Sequence, residues 1–205
     1  MRLVLSVFVL AAAWTVRAQG TFEAIVSHDN PSPVVTSTSA TAGWTFQPTD
    51  WMAVMDLGCF DDIFLNNETI NSIQVGLWTS GGALLASNLI TRTSPIENES
   101  RYEPLVDPVG LEVGQVYHIG AYSPDGSMSI EVCGPSLGGT LTVSTNLFLQ
   151  AAAQNAGSFG FPPEQAGTDG LAYLGPNFRW GVPEPSSALL LGLAALLFAA
   201  RRRRR

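Results

Sequence analysis

Lysine is absent from this 205-residue chain, and all ten of its basic residues are arginine. Five of them form the terminal run 201–205, and Arg2 and Arg17 lie in the first twenty residues. Between Gln19 and Gly181 only Arg92, Arg101 and Arg179 remain, against sixteen Asp and Glu, for a net charge of −13. A surface that negative repels phosphate backbones, which argues against nucleic acid as a partner. Cysteine is nearly as scarce, with Cys59 and Cys133 alone. Neither has a neighbouring His, so the spacing of a zinc site is missing. There is no EF-hand spacing and no Gly-Asp repeat of a calcium-binding β-roll. Between the two ends no long stretch carries a helical period.

What is present begins with the ends. Met1-Arg2 is followed by the apolar run 3–13, and Val16-Arg17-Ala18 then offers a small residue at the last position. This is the pattern of a secretory signal peptide over residues 1–18, with signal peptidase cutting between Ala18 and Gln19. At the other end, Val182-Pro183-Glu184-Pro185 precedes fifteen uncharged residues, 186–200, and then the five arginines. Pro183 and Pro185 have fixed φ, so they hold the segment extended and readable by an enzyme. As a helix, residues 186–200 span about 22 Å, less than the ~30 Å hydrocarbon core. They can still insert, because arginine side chains snorkel and a bilayer thins locally. The arginine block stays cytoplasmic under the positive-inside rule, leaving the main domain outside.

This tail resembles the PEP-CTERM sorting signal, here the motif 182–185 with Pro183, Glu184 and Pro185, a transmembrane helix 186–200 and a basic tail 201–205. The resemblance implies recognition by an exosortase-type membrane protease, cleavage near the motif, and transfer to the cell surface or medium. It also implies a bacterium that makes extracellular polysaccharide. An ordinary single-pass anchor is the competing reading. Either way the expected precursor is exported and spans the inner membrane once.

Residues 19–181 are rich in Gly, Pro, Ser, Thr and β-branched residues, with short apolar runs between turn signals. That pattern predicts an all-β fold, a single antiparallel β-sandwich of jelly-roll type. Strands are expected over 21–26, 42–47, 52–60, 72–79, 84–90, 116–122, 127–132 and 140–145, with short ones at 171–174 and 177–180. Two hairpins are expected. In one, 72–79 turns at Ser80-Gly81-Gly82 and returns through 84–90. In the other, 116–122 turns at Ser123-Pro124-Asp125-Gly126 and pairs with 127–132. Residues 91–108, with three prolines, read as a long loop, and 150–168 as a short helix followed by a loop. The segments Gly43-Trp44-Thr45-Phe46, Val75-Gly76-Leu77-Trp78-Thr79-Ser80-Gly81-Gly82 and Tyr117-His118-Ile119-Gly120-Ala121-Tyr122 resemble an uncharacterised β-sandwich domain of bacterial surface proteins. The likeness implies a fold and carries no ligand residues.

Candidate chemistry is thin. Cys59 and Cys133 would meet an oxidising compartment after export, so a disulfide is expected, with two unpaired thiols as the alternative. Asp56, Asp61 and Asp62 lie close to Asn66, Asn67 and Glu68, and oxygen ligands on one loop can hold Ca²⁺; a solvated acidic turn is the plainer reading. Trp78 lies opposite the Ile73–Val75–Leu77 face, so it is expected to be exposed and able to stack on a sugar ring, with core packing as the alternative. His118 is expected at solvent or at a sheet edge, and His28 in a loop. The sequons at Asn67 and Asn98 read as accidental in a bacterial chain. Together these features predict a non-enzymatic surface or secreted protein without cofactor, structural or adhesive within an extracellular polysaccharide matrix. A carbohydrate-binding module is the runner-up and a secreted hydrolase the third reading.

Overall fold

Apolar residues at alternate positions make a strand half-buried, and the chain repeats that pattern between glycine and proline turns. The computed structural model describes residues 20–29, 32–35, 40–66, 68–126 and 128–182, which belong to one unit, Gly20–Val182. The signal peptide with its Ala18–Gln19 junction, the Pro183-Glu184-Pro185 motif, the segment 186–200 and the basic tail lie outside the described residues. Among the described residues no helix is long and apolar enough to cross a membrane.

In chain order the strands are β1 Phe22–Glu23, β2 Ile25–Asp29, β3 Ser32–Val35, β4 Ala40–Pro48, β5 Met52–Phe60, β6 Ser72–Thr79, β7 Leu84–Thr91 and β8 Ile96–Glu97. They continue as β9 Ser100–Leu111, β10 Tyr117–Tyr122, β11 Ser129–Cys133, β12 Thr140–Val143, β13 Leu147–Ala156, β14 Glu164–Asp169, β15 Ala172–Tyr173 and β16 Pro176–Gly181. One helical turn, α1 Asp62–Leu65, follows β5. The larger sheet has the order β14-β13-β4-β10-β6-β7, and a second has the order β1-β16-β5-β9-β8. Two small sheets, β15-β11-β3 and β12-β2, complete the fold. The domain is therefore all-β, as a sandwich requires.

The core forms where the inner faces of the two large sheets meet. From β4 come Ala42, Trp44 and Phe46, from β6 Ile73, Val75 and Leu77, and from β10 Ile119 and Ala121, all buried. Opposite them, Phe178 of β16 stacks on Trp44 with ring centroids 5.8 Å apart and approaches Phe46 at 5.0 Å. The Trp44 indole N–H is not wasted in this apolar seam, since it donates to the Pro176 carbonyl at 3.0 Å.

The expected β6–β7 hairpin forms, with Gly82 at φ +84° in its turn. The second hairpin does not. β10 is already flanked by β4 and β6, so no edge is left for the following strand. β11 pairs with β3 and β15 instead. The Ser123–Gly126 turn docks elsewhere: the Asp125 carboxylate accepts from the backbone N–H groups of Asn71 and Ser72 at 2.8 and 3.0 Å. Those two bonds hold its pKa below the usual carboxylate range.

Two segments expected as loop or helix are strands. Residues 91–108 contain the β8–β9 hairpin, whose turn places Asn98 and Glu99 consecutively at φ 44° and 65°. Two left-handed residues in a two-residue loop are the signature of a type I′ turn. Pro108 is accommodated because β9 bulges. Asp56 of β5 pairs with Pro104 and Val54 with Val109, leaving residues 105–108 out of register. Residues 150–168 form the β13–β14 hairpin rather than a helix. Ala151, Ala152 and Ala153 are good helix formers, but here they are fully buried and their small size is what the packing uses.

The loop after β13 decides the character of the larger sheet. Residues 157–163 cross its outer face as a strap. The Thr41 hydroxyl donates to the Ser158 carbonyl at 2.9 Å and accepts from the Gly160 N–H at 3.1 Å. Phe159 packs on Trp78 at 5.3 Å between centroids, and Phe161 on His118 at 4.6 Å. The strap makes room for itself over glycine. A Cβ at Gly76 would lie 2.7 Å from the Phe159 ring, and one at Gly120 would lie 3.1 Å from Pro162.

Candidate functional site

The acidic residues in and just after β5 are divided among different partners. Asp56 is buried on β5 and faces Arg179 of β16, 2.9 Å away. Asp61, at the start of α1, makes no cap bond with its side chain because it pairs with Arg101 of β9. Two of the three carboxylates weighed as a calcium shell are thus neutralised by arginine. Among the described residues no group of three His, Cys, Asp or Glu side chains could hold a metal ion. The arginines are consumed by this arrangement. Arg179 also pairs with Glu97 and lies 4.6 Å from the Tyr102 ring centroid. Burial works against its charge, but Asp56 and Glu97 outweigh it and raise its pKa. Arg92 donates to the Ile70 carbonyl at 2.8 Å and lies over Phe64, as Arg101 does. With all three arginines turned to internal partners, the remaining acid dominates the surface.

Asp62 is the carboxylate left over, and it lines a cleft of about 240 Å³. Its walls carry four polar side chains: His28 from β2, Asp62 and Asn66 around α1, and Glu131 from β11. Phe60, Ile63, Ile130 and Leu174 supply the apolar lining. α1 is placed by its own burial, since Ile63 and Phe64 face the core while Asp62 and Asn66 stay exposed. Glu131 is placed by its backbone, whose carbonyl accepts from the Leu174 N–H at 2.7 Å. His28 sits edge-on to Phe60, 5.0 Å between centroids. Its Nδ1 is buried and has no hydrogen-bond partner among the described residues. Sequence reading placed His28 in a loop and never joined it to Asp62, because nothing in the sequence brings β2, α1 and β11 together.

The expected aromatic platform at Trp78 is covered. Trp78 does point away from the Ile73–Val75–Leu77 face, but it is 3% exposed because Phe159 covers it. Trp44 and Trp180 are buried as well; Trp51, in the β4–β5 turn, is 46% exposed. His118 is corrected for the same reason as Trp78. It lies on a central strand under the strap, and its Nδ1 is 2.8 Å from the Pro162 carbonyl, so that nitrogen carries the proton. Burial lowers its pKa.

Cys59 and Cys133 are both buried free thiols, and the expected disulfide is not formed. Cys59 lies in the sandwich core on β5, where burial pushes its pKa far up. The Cys133 thiol instead donates to the Thr140 carbonyl at 3.2 Å, and its pKa is also raised by burial. A buried thiol is inert because the thiolate is the nucleophile. Iodoacetamide should therefore label neither cysteine in the native protein and both in concentrated urea without reductant. Absence of label in urea would mean that the two are bridged.

The remaining feature is the tail. The PEP-CTERM protein-sorting motif matches residues 181–205. That motif marks the chain as an exported, cell-surface protein processed by an exosortase-type protease. No curated protein matches the chain.

Proposed function

We propose that the chain is the precursor of a non-enzymatic surface or secreted protein, structural or adhesive within an extracellular polysaccharide matrix. The observation that carries this reading is the sorting motif over residues 181–205, which delivers the domain to the place where such a matrix lies. Signal peptidase removes residues 1–18. Residues 186–200 then hold the precursor in the inner membrane with the domain outside, until the protease cuts near Pro183-Glu184-Pro185 and releases it. Fifteen uncharged residues would span only about 22 Å as a helix, short of a ~30 Å core, so the hold is weak. The acidic domain suits contact with neutral polymer, or with polyanion through bridging cations. A carbohydrate-binding module is the second reading, favoured by the His28–Glu131 cleft. The fold belongs to the same proposal. The order β1-β16-β5-β9 in one sheet and β4-β10-β6-β7 in the other interleaves as the strands of a jelly roll do, with β13 and β14 added at one edge.

Replacement of Pro183, Glu184 and Pro185 together by alanine tests the route in an exosortase-bearing host. The variant should accumulate at full precursor length in the membrane fraction, with at least tenfold less reaching the surface or medium. Unchanged mass and unchanged release would refute the route.

A further inference from the structure

The cleft between β2, α1 and β11 has unmet chemical requirements that define what would fill it. Asp62 and Glu131 line this space as acceptors only. Neither takes part in the three ion pairs found among the described residues, which use Asp61, Asp56 and Glu97. Two uncompensated carboxylates call for donors and repel anions. Asn66 offers both a donor and an acceptor at the rim. Facing these groups, Phe60, Ile63, Ile130 and Leu174 require an apolar surface. The volume of about 240 Å³ falls below the ~300–1,000 Å³ of drug-sized ligands. It therefore admits one ring and not a chain.

A molecule with vicinal hydroxyls on its edge, an apolar face and no negative charge meets all of these terms. We propose that the cleft is a subsite for a single neutral sugar ring, a hexose or N-acetylhexosamine unit of a longer glycan. The hydroxyls donate to Asp62 and Glu131, and the apolar ring face lies on the Phe60–Ile63 side. The proposal rests on the matrix reading above and names the site through which the domain would make that contact.

The test uses the full chain in detergent micelles, with neutral hexose and N-acetylhexosamine oligosaccharides and a polyuronate as probes, alongside polysaccharide isolated from the producing culture. Wild type should bind a neutral oligosaccharide and reject the polyuronate. Asn66→Trp, an exposed position that fills the cleft, should abolish binding. Glu131→Gln should weaken it by about tenfold or more, the cost of a charge-assisted hydrogen bond. Equal binding by wild type and Asn66→Trp would place the glycan elsewhere and overturn the subsite while leaving the matrix role standing. Preference for the polyuronate would overturn the charge argument and with it the proposal. Failure of wild type to bind any oligosaccharide or the isolated polysaccharide would overturn both the subsite and the matrix role, leaving a cleft that holds only water.

Discussion

Asn177→Ala should lower the unfolding free energy by about 3–5 kcal/mol, enough to consume a large share of a typical domain's stability. Asn177 is fully buried on β16 and joins three strands. Its Oδ1 accepts from the backbone N–H groups of Ile25 and Phe178 at 3.0 and 2.9 Å. Its Nδ2 donates to the Ile25 carbonyl and to the Tyr102 hydroxyl, each at 3.0 Å. Truncation leaves the donor and the acceptor of Ile25 buried without this partner, and each orphaned group costs about 1–3 kcal/mol. Asn177→Asp should also destabilise, because a carboxylate cannot donate to the Ile25 carbonyl. Urea unfolding followed by tryptophan fluorescence gives the number. A loss under about 1 kcal/mol would mean that β2 does not depend on this side chain.

Gly43→Ala should cost about 3 kcal/mol or more, at the upper end of overpacking effects. A Cβ at Gly43 would lie 2.0 Å from the Ile119 carbonyl oxygen and 2.9 Å from the Gly120 Cα. Both obstacles are backbone of β10, which pairs with β4 at this very position. The strand cannot withdraw without breaking the ladder in the middle of the larger sheet. Gly120→Ala is the control. Its Cβ would meet the Thr41 methyl at 2.6 Å and Pro162 at 3.1 Å, both side-chain atoms. These can shift, the strap with them, so the loss should be clearly smaller than for Gly43→Ala. Equal losses would show that the strap is as unyielding as the sheet.

Local chemistry was legible and assembled chemistry was not. β5 and β6 occupy the expected residues because apolar patterning and flanking turn residues act within a few positions. The tail is legible for a related reason: the sorting motif over residues 181–205 is a contiguous run of residue types. Trp78 and His118 were misplaced because alternation assigns an outer face without saying whether water reaches it. Here the strap from a distant loop closes that face. Residues 151–153 were misread because alanine's helical preference is small beside the packing demand of a strand buried on both sides. The calcium candidate failed on partners, since Arg101 and Arg179 come from strands far along the chain. The cleft could not be read at all. His28, Asp62, Glu131 and Leu174 meet only because β2, α1 and β11 converge.

On the proposed route the sorting motif over residues 181–205 takes this acidic β-domain to the cell surface, and cleavage near Pro183-Glu184-Pro185 then removes residues 186–205. Intact-mass measurement of the protein recovered from the surface or medium is the decisive test. The recovered chain should begin at Gln19, end near Pro183-Glu184-Pro185 and lack residues 186–205. A recovered chain that still carries the apolar segment and the five terminal arginines would contradict the route.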